Sequence, residues 1–206
     1  MANSFELAAQ VRTDAGKGAS RRLRRMNLVP GILYGGGQEP QRLQFAANAL
    51  KKHLEHEAFY SQVLTVDVDG VSHKAVLKAV QHHPVRPGVL HIDLQRVSDD
   101  DRIRMQVPLH FINEETCVGV KKGGQVMHNM TDVEVTCRAR DLPQYIEVDM
   151  AAVEVGQAVH LSELDLPAGV EIPSISLGPD HDFPVVSVHG VASLAAAAES
   201  EPGEPT

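Results

Sequence analysis

A chain of 206 residues with 43% hydrophobic and 22% charged side chains has the make-up of a folded protein, one large domain or two small ones. Its net charge of -8 at pH 7 is unevenly shared: residues 1–97 hold 13 Lys+Arg against 8 Asp+Glu, net +5, and residues 98–206 hold 6 against 19, net -13. That asymmetry excludes a uniformly acidic protein and predicts one polyanion-binding module joined to one with a different task.

The first segment, Phe5–Val11, alternates enough to be a strand. Residues 14–20 (DAGKGAS) read as a small-residue loop that cannot pack a core. Ser20 then caps a short basic helical turn, Arg21–Arg25, broken by residues 27–31 with their Pro30-Gly31 pair. Ile32-Leu33-Tyr34 begin a strand, and Gly35-Gly36-Gly37 supply the permissive backbone of a turn. Asn48 is placed to cap a helix running to about Glu57, with Leu50 and Leu54 on one face. Val63–Asp69 and Lys74–Val80 form a hairpin through Asp69-Gly70. A loop with His83-Pro84 and Arg86-Pro87-Gly88 leads into the last strand of this half, Val89–Gln95. Many short strands with one or two helices predict a small barrel or curled sheet over residues 1–97.

Asp99-Asp100-Asp101 marks the boundary to a second, acidic β-rich domain, residues 98–190. Arg104–Phe111 is a strand whose Pro108 places it at an edge or bulge. Val133–Cys137, Tyr145–Asp149 and Val185–Val188 are further strands, and Gly123-Gly124 and Pro167–Gly169 are turns. Residues 191–206, small, acidic and proline-containing, are expected to be a disordered tail. Cys117 and Cys137 match no metal or redox spacing and read as reduced thiols. Without a signal sequence or an apolar run of membrane-spanning length, the chain is expected to be soluble and cytoplasmic.

The strongest chemical signal is Arg12, Lys17, Arg21, Arg22, Arg24 and Arg25, opposed only by Asp14. On a helical turn Leu23 can face inward while arginines spread outward, where guanidinium forks suit phosphate oxygens and base edges. The Gly-Lys-Gly-Ala-Ser stretch lacks the spacing of a nucleotide-phosphate loop, which argues against nucleotide hydrolysis. In the strand Leu90–Leu94, His91 and Asp93 share one face and Leu90, Ile92 and Leu94 the other. The polar pair suits base-edge or 2′-hydroxyl recognition. It also suits acid/base catalysis, but no nucleophile lies near it in sequence. Tyr34, before the three glycines, can stack on a base or pack. His53 and His56, and the adjacent His82-His83, form no recognised ligand set, so no metal and no cofactor is expected.

Several blocks in order carry a resemblance. Val11-Arg12, Gly16–Arg24 (GKGASRRLR), Val29–Gly36 (VPGILYGG), Phe59-Tyr60-Ser61, Val80–Pro84 (VQHHP) and Leu90–Asp93 (LHID) are similar to the bacterial large-subunit ribosomal protein twenty-five, a family that binds 5S ribosomal RNA. Val107–Phe111, Val118–Gly124, Leu142–Asp149 and Leu166–Val170 resemble the long form of that family, the CTC or general stress protein form. The resemblance implies a mainly β protein with a few short helices: an N-terminal barrel of six or seven strands that binds loop E of 5S rRNA, and a C-terminal β-rich domain. It implies an RNA face made by Arg12, Arg21, Arg22, Arg24, Tyr34, His91 and Asp93, with Lys17, Ser20 and Gln81 as weaker candidates. The function it implies is that of a non-enzymatic constituent of the large ribosomal subunit, with neighbouring ribosomal proteins as partners of the C-terminal domain and no membrane or small-molecule substrate. The alternative is a stress-related interaction protein whose acidic domain binds another protein, with RNA contact secondary.

Overall fold

Period-two alternation in the first half closes into a cylinder. The computed structural model describes residues 5–85 and 87–190, so the expected tail, 191–206, lies outside the described residues. The first elements are β1 (Glu6–Val11), α1 (Lys17–Arg25), β2 (Leu28–Gly35), β3 (Gln38–Ala46), α2 (Ala47–Leu54), β4 (Val63–Val68), β5 (Val71–His82) and β6 (Val89–Arg96). The six strands form a closed barrel in the order β1-β3-β2-β6-β5-β4. Its seam is parallel, with Glu6 of β1 opposite Thr65 of β4 and Ala9 opposite Val68. Inward positions hold Leu7, Leu33, Leu43, Phe45, Leu64, Ile92 and Leu94, all buried. Leu50 of α2 and Phe59 of the adjoining 3-10 turn belong to the same core.

The hairpin expected at Asp69-Gly70 is there. Val68 pairs with Val71, and both turn residues have positive φ, 49° and 89°, as a two-residue turn of matching twist requires. Other boundaries moved. The basic helix begins at Lys17 with Gly16 as its N-cap, so Ser20 is not a cap; its amide donates to the Gly16 carbonyl. Ala19, assigned to a loop without core, is buried. Asn27, at φ 58°, ends the helical turn, and β2 starts at Leu28, so Pro30-Gly31 lies inside a strand. Asn48 is not a cap either: Ala46 precedes α2, no side chain caps it, and the helix stops at Leu54. β3 was not anticipated.

Pro30 fits because of where its neighbours begin. The Asn27 carbonyl accepts from the Ala47 amide on the β3 side, which aims Pro30's nitrogen, three residues on, toward β6. Pairing with β6 starts only at Gly31, opposite Ile92. A missing donor costs nothing there.

The triple-glycine turn needs glycine for a separate reason. Gly35 sits at φ 92°, and a Cβ on it would lie 3.2 Å from the Arg96 carbonyl oxygen. Gly35→Ala should therefore lower stability by about 1–3 kcal/mol. A urea midpoint equal to wild type would refute that. Under the same turn Arg96 is buried; one terminal nitrogen donates to the Glu39 carbonyl at 3.3 Å, and Nε and Nη2 have no hydrogen-bond partner among the described residues. Burial holds its guanidinium below the usual arginine range.

By contacts the chain divides into Met1–Gln106 with Thr136–Gln144 and Ala168–Val170, and Val107–Val135 with Tyr145–Pro167 and Glu171–Thr206. The elements after β6 are β7 (Arg102–Ile112), α3 (Val118–Lys121), β8 (Gly124–His128), β9 (Asp132–Arg138), β10 (Ile146–Asp149), β11 (Ala158–His160) and β12 (Pro184–Gly190). They make two three-stranded sheets, β10-β7-β9 and β11-β12-β8. Here the expectation for Pro108 is corrected: β7 is the central strand of its sheet. Leu109's amide donates to Thr131 on the β9 side, so Pro108's nitrogen faces β10, whose pairing begins only at Leu109 opposite Ile146. Cys117 and Cys137 are both free and buried, and the Cys117 thiol donates to the Val153 carbonyl at 3.1 Å.

Candidate nucleic-acid interface

Barrel registry decides which side chains meet on the outer wall. Along β6, Ile92 and Leu94 are buried, which sends His91, Asp93 and Gln95 outward. On β2 the outward set includes Ile32 and Tyr34, with Ile32 opposite Asp93 and Tyr34 opposite Gln95. Gln81 of β5 pairs with His91. On the other flank Ile32 is opposite Arg42 of β3, and the Arg12 amide donates to the Arg42 carbonyl at 2.9 Å. One continuous wall therefore carries Arg12, Arg42, Tyr34, Gln81, His91 and Asp93.

Helix α1 adds the rest through its helical period. Ala19 is buried and Leu23 half-buried, so the 19–23 seam packs down, and Arg21 and Arg25 fall on the opposite side, exposed to solvent. Arg22 turns toward Asp14, 3.7 Å away, in an exposed ion pair. Lys17 is exposed and Ser20 half-buried. Arg24 alone reaches back to the strands: its Nε donates to the Leu90 carbonyl at 3.1 Å. In the parallel β2–β6 ladder the amide that would serve Leu90 belongs to Pro30, which has none. Arg24 takes up the acceptor that the proline leaves open.

Two buried polar atoms on this wall lack a hydrogen-bond partner among the described residues. His91 Nδ1 lies 2.6 Å from Asp93 Oδ1, an ion-pair contact without hydrogen-bond alignment, so the buried Oδ1 has no donor among the described residues. Arg12 Nε is likewise buried and unpartnered, while Nη1 donates to the Asp14 carbonyl at 3.4 Å. Burial first, then Arg42 and Arg24, lower the Arg12 pKa. Burial and then the charge of Asp93 raise that of Tyr34. The arrangement offers a buried acceptor, a buried donor and exposed guanidinium forks on one surface. It can bind an anion with hydrogen-bonding edges.

Of the residues predicted from sequence, Arg12, Arg24, Tyr34, Gln81, His91 and Asp93 are brought to this wall or its edge. Arg21 is not, since it faces away with Arg25, and Arg22 is turned to Asp14. Arg42 was missed. It is a single cation between Gln41 and Leu43, and only its cross-strand place opposite Arg12 marks it.

The family model described as "Ribosomal L25p family" matches residues 7–94, and that described as "Ribosomal protein TL5, C-terminal domain" matches residues 102–192. The large ribosomal subunit protein bL25 of Methylococcus capsulatus is 57% identical over 92% of this chain and 94% of its own length. Those of Nitrosococcus oceani and Alcanivorax borkumensis are 53% and 54% identical, covering 98% and 92% of this chain and 95% and 89% of theirs. The chain belongs to the bL25 family. The resemblance read from the sequence is borne out, as is the mainly β class with an N-terminal barrel. The bL25 match from 7 to 94 includes every residue of the outer wall described above. The second match spans all strands from β7 to β12.

Proposed function

We propose that the chain is a non-enzymatic structural constituent of the large ribosomal subunit, working in the cytoplasm, and that residues 1–97 bind the loop E region of 5S rRNA. Its relatives carry the name of a large-subunit protein along nearly their whole length. The observation that carries the RNA reading is the wall of Arg12, Tyr34, Gln81, His91 and Asp93, edged by Arg24 and holding a buried donor and a buried acceptor that have no hydrogen-bond partner among the described residues. A regular A-form major groove is too narrow for such side chains, so the partner is an irregular, widened stretch of helix.

Arg24 and Arg12 grip phosphate and base edges. Asp93 accepts from a base N–H or a 2′-hydroxyl, with His91 fixing its carboxylate, and Tyr34 and Gln81 add stacking and a further hydrogen bond. Lys17, Ser20, Arg21 and Arg22 present the helix to a neighbouring backbone. The acidic module, residues 98–190, is repelled by phosphate and takes neighbouring ribosomal proteins as partners, with 191–206 as its tail. The test is a gel-shift titration of the full chain against 5S rRNA and an unrelated duplex RNA at one salt concentration. Tighter binding to 5S rRNA by at least ~10-fold, about 1.4 kcal/mol, is expected. Equal affinities would overturn the reading.

A further inference from the structure

Cations on β strands normally avoid standing directly opposite one another, because like charges in cross-strand pairs are destabilising. Arg12 and Arg42 break that rule. Arg12, the residue just after β1, stands opposite Arg42 of β3, joined to it by the 2.9 Å backbone bond, in the row that continues through Ile32 to Asp93. Arg42 is exposed, and its side chain makes no hydrogen bond or ion pair among the described residues. Arg12 keeps a buried Nε without a hydrogen-bond partner among the described residues. Arg42 is one of the charges that lower the Arg12 pKa, after burial.

We propose that Arg12 and Arg42 form one cradle for a single RNA phosphate, with Arg42 completing it from the β3 side. The proposal rests on the RNA reading above and adds to it a residue and a subsite. The cradle runs across the strand direction: the residue that follows β1 and its opposite on β3 supply two guanidiniums as a facing pair. A phosphate placed there removes the repulsion that the free protein carries. This accounts for the tolerance of an otherwise unfavourable pair, and makes Arg42 a binding residue and not a support of the barrel.

The experiment is a double-mutant cycle on the full chain, Arg12→Ala, Arg42→Ala and the pair, with 5S rRNA affinity measured across a salt series and thermal melting of the free protein. Each single change should weaken binding about 10-fold, and the pair only about 20-fold where independent sites would give about 100-fold. The slope of log K against log salt should fall by about 0.7–0.9 for the pair, one phosphate's worth. Arg42→Ala should leave the melting temperature unchanged or raise it, and Arg42→Lys should recover part of the affinity. Wild-type affinity in Arg42→Ala would overturn the cradle while leaving RNA binding intact. So would fully multiplicative effects, which would mean two phosphates, or a lowered melting temperature with no rescue by lysine. If the wild-type chain fails to prefer 5S rRNA, the RNA reading falls and the cradle with it.

Discussion

Arg24→Ala should weaken 5S rRNA binding by about 1–3 kcal/mol, the range for losing an arginine that contacts a base or a phosphate at close quarters. The change acts in two ways. It removes the terminal guanidinium nitrogens from the RNA face, and it takes the 3.1 Å donor from the Leu90 carbonyl, which Pro30 cannot replace. The second effect loosens the tie between α1 and β6, so the helix presents its remaining cations with less order. Arg24→Lys separates the two, since lysine keeps the charge but lacks the planar fork that ties and grips at once. An intermediate affinity for lysine is expected, in filter-binding titrations at fixed salt. Unchanged affinity for both variants would reduce Arg24 to a strap between helix and barrel.

Phe45→Ala should destabilise the free protein by about 3–5 kcal/mol, against a total of about 5–15 for a domain of ordinary stability. Phe45 is 1% exposed on the inner face of β3, directly behind the strand face that bears Arg42 and Gln44. Its ring lies where a Cβ on Gly31 would be only 2.6 Å away, so ring and backbone are in close contact across β2 and β3. The barrel is closed and its neighbouring strands are pinned by pairing on both sides, so the void has little room to collapse. Equilibrium urea unfolding measures the loss. A cost under about 1 kcal/mol would show that the wall relaxes to fill the gap.

What could be read from the sequence was local. The Asp69-Gly70 hairpin needs only its own turn residues and flanking alternation, and it was found with its strands. His91 and Asp93 were legible because Ile92 and Leu94 set the period around them. What depended on distant neighbours was misread. Pro30 looked like a break and Pro108 like an edge marker, because a proline's cost depends on whether a strand lies beside its nitrogen. That strand comes from residues about sixty positions away for Pro30 and about forty for Pro108. β3 opens with Gln38-Glu39-Pro40 and turns only Leu43 and Phe45 firmly inward, too brief a pattern to stand out. The burial of Ala19 came from helix packing that no loop composition announces. In the site, Arg12 belonged to a visible basic run, whereas Arg42 owes its place to strand registry alone. Arg96, at the end of a predicted strand, gave no hint that its guanidinium lies under the glycine turn.

The barrel's strand order also sets when the protein becomes competent during synthesis. β6 is the last of the six strands to leave the ribosome exit, yet it fills the gap between β2 and β5. Until Val89–Arg96 has emerged, β2 and β5 lack the strand that joins them in the closed barrel. Those same eight residues carry His91 and Asp93. Closure of the barrel and completion of its outer wall therefore depend on one and the same segment.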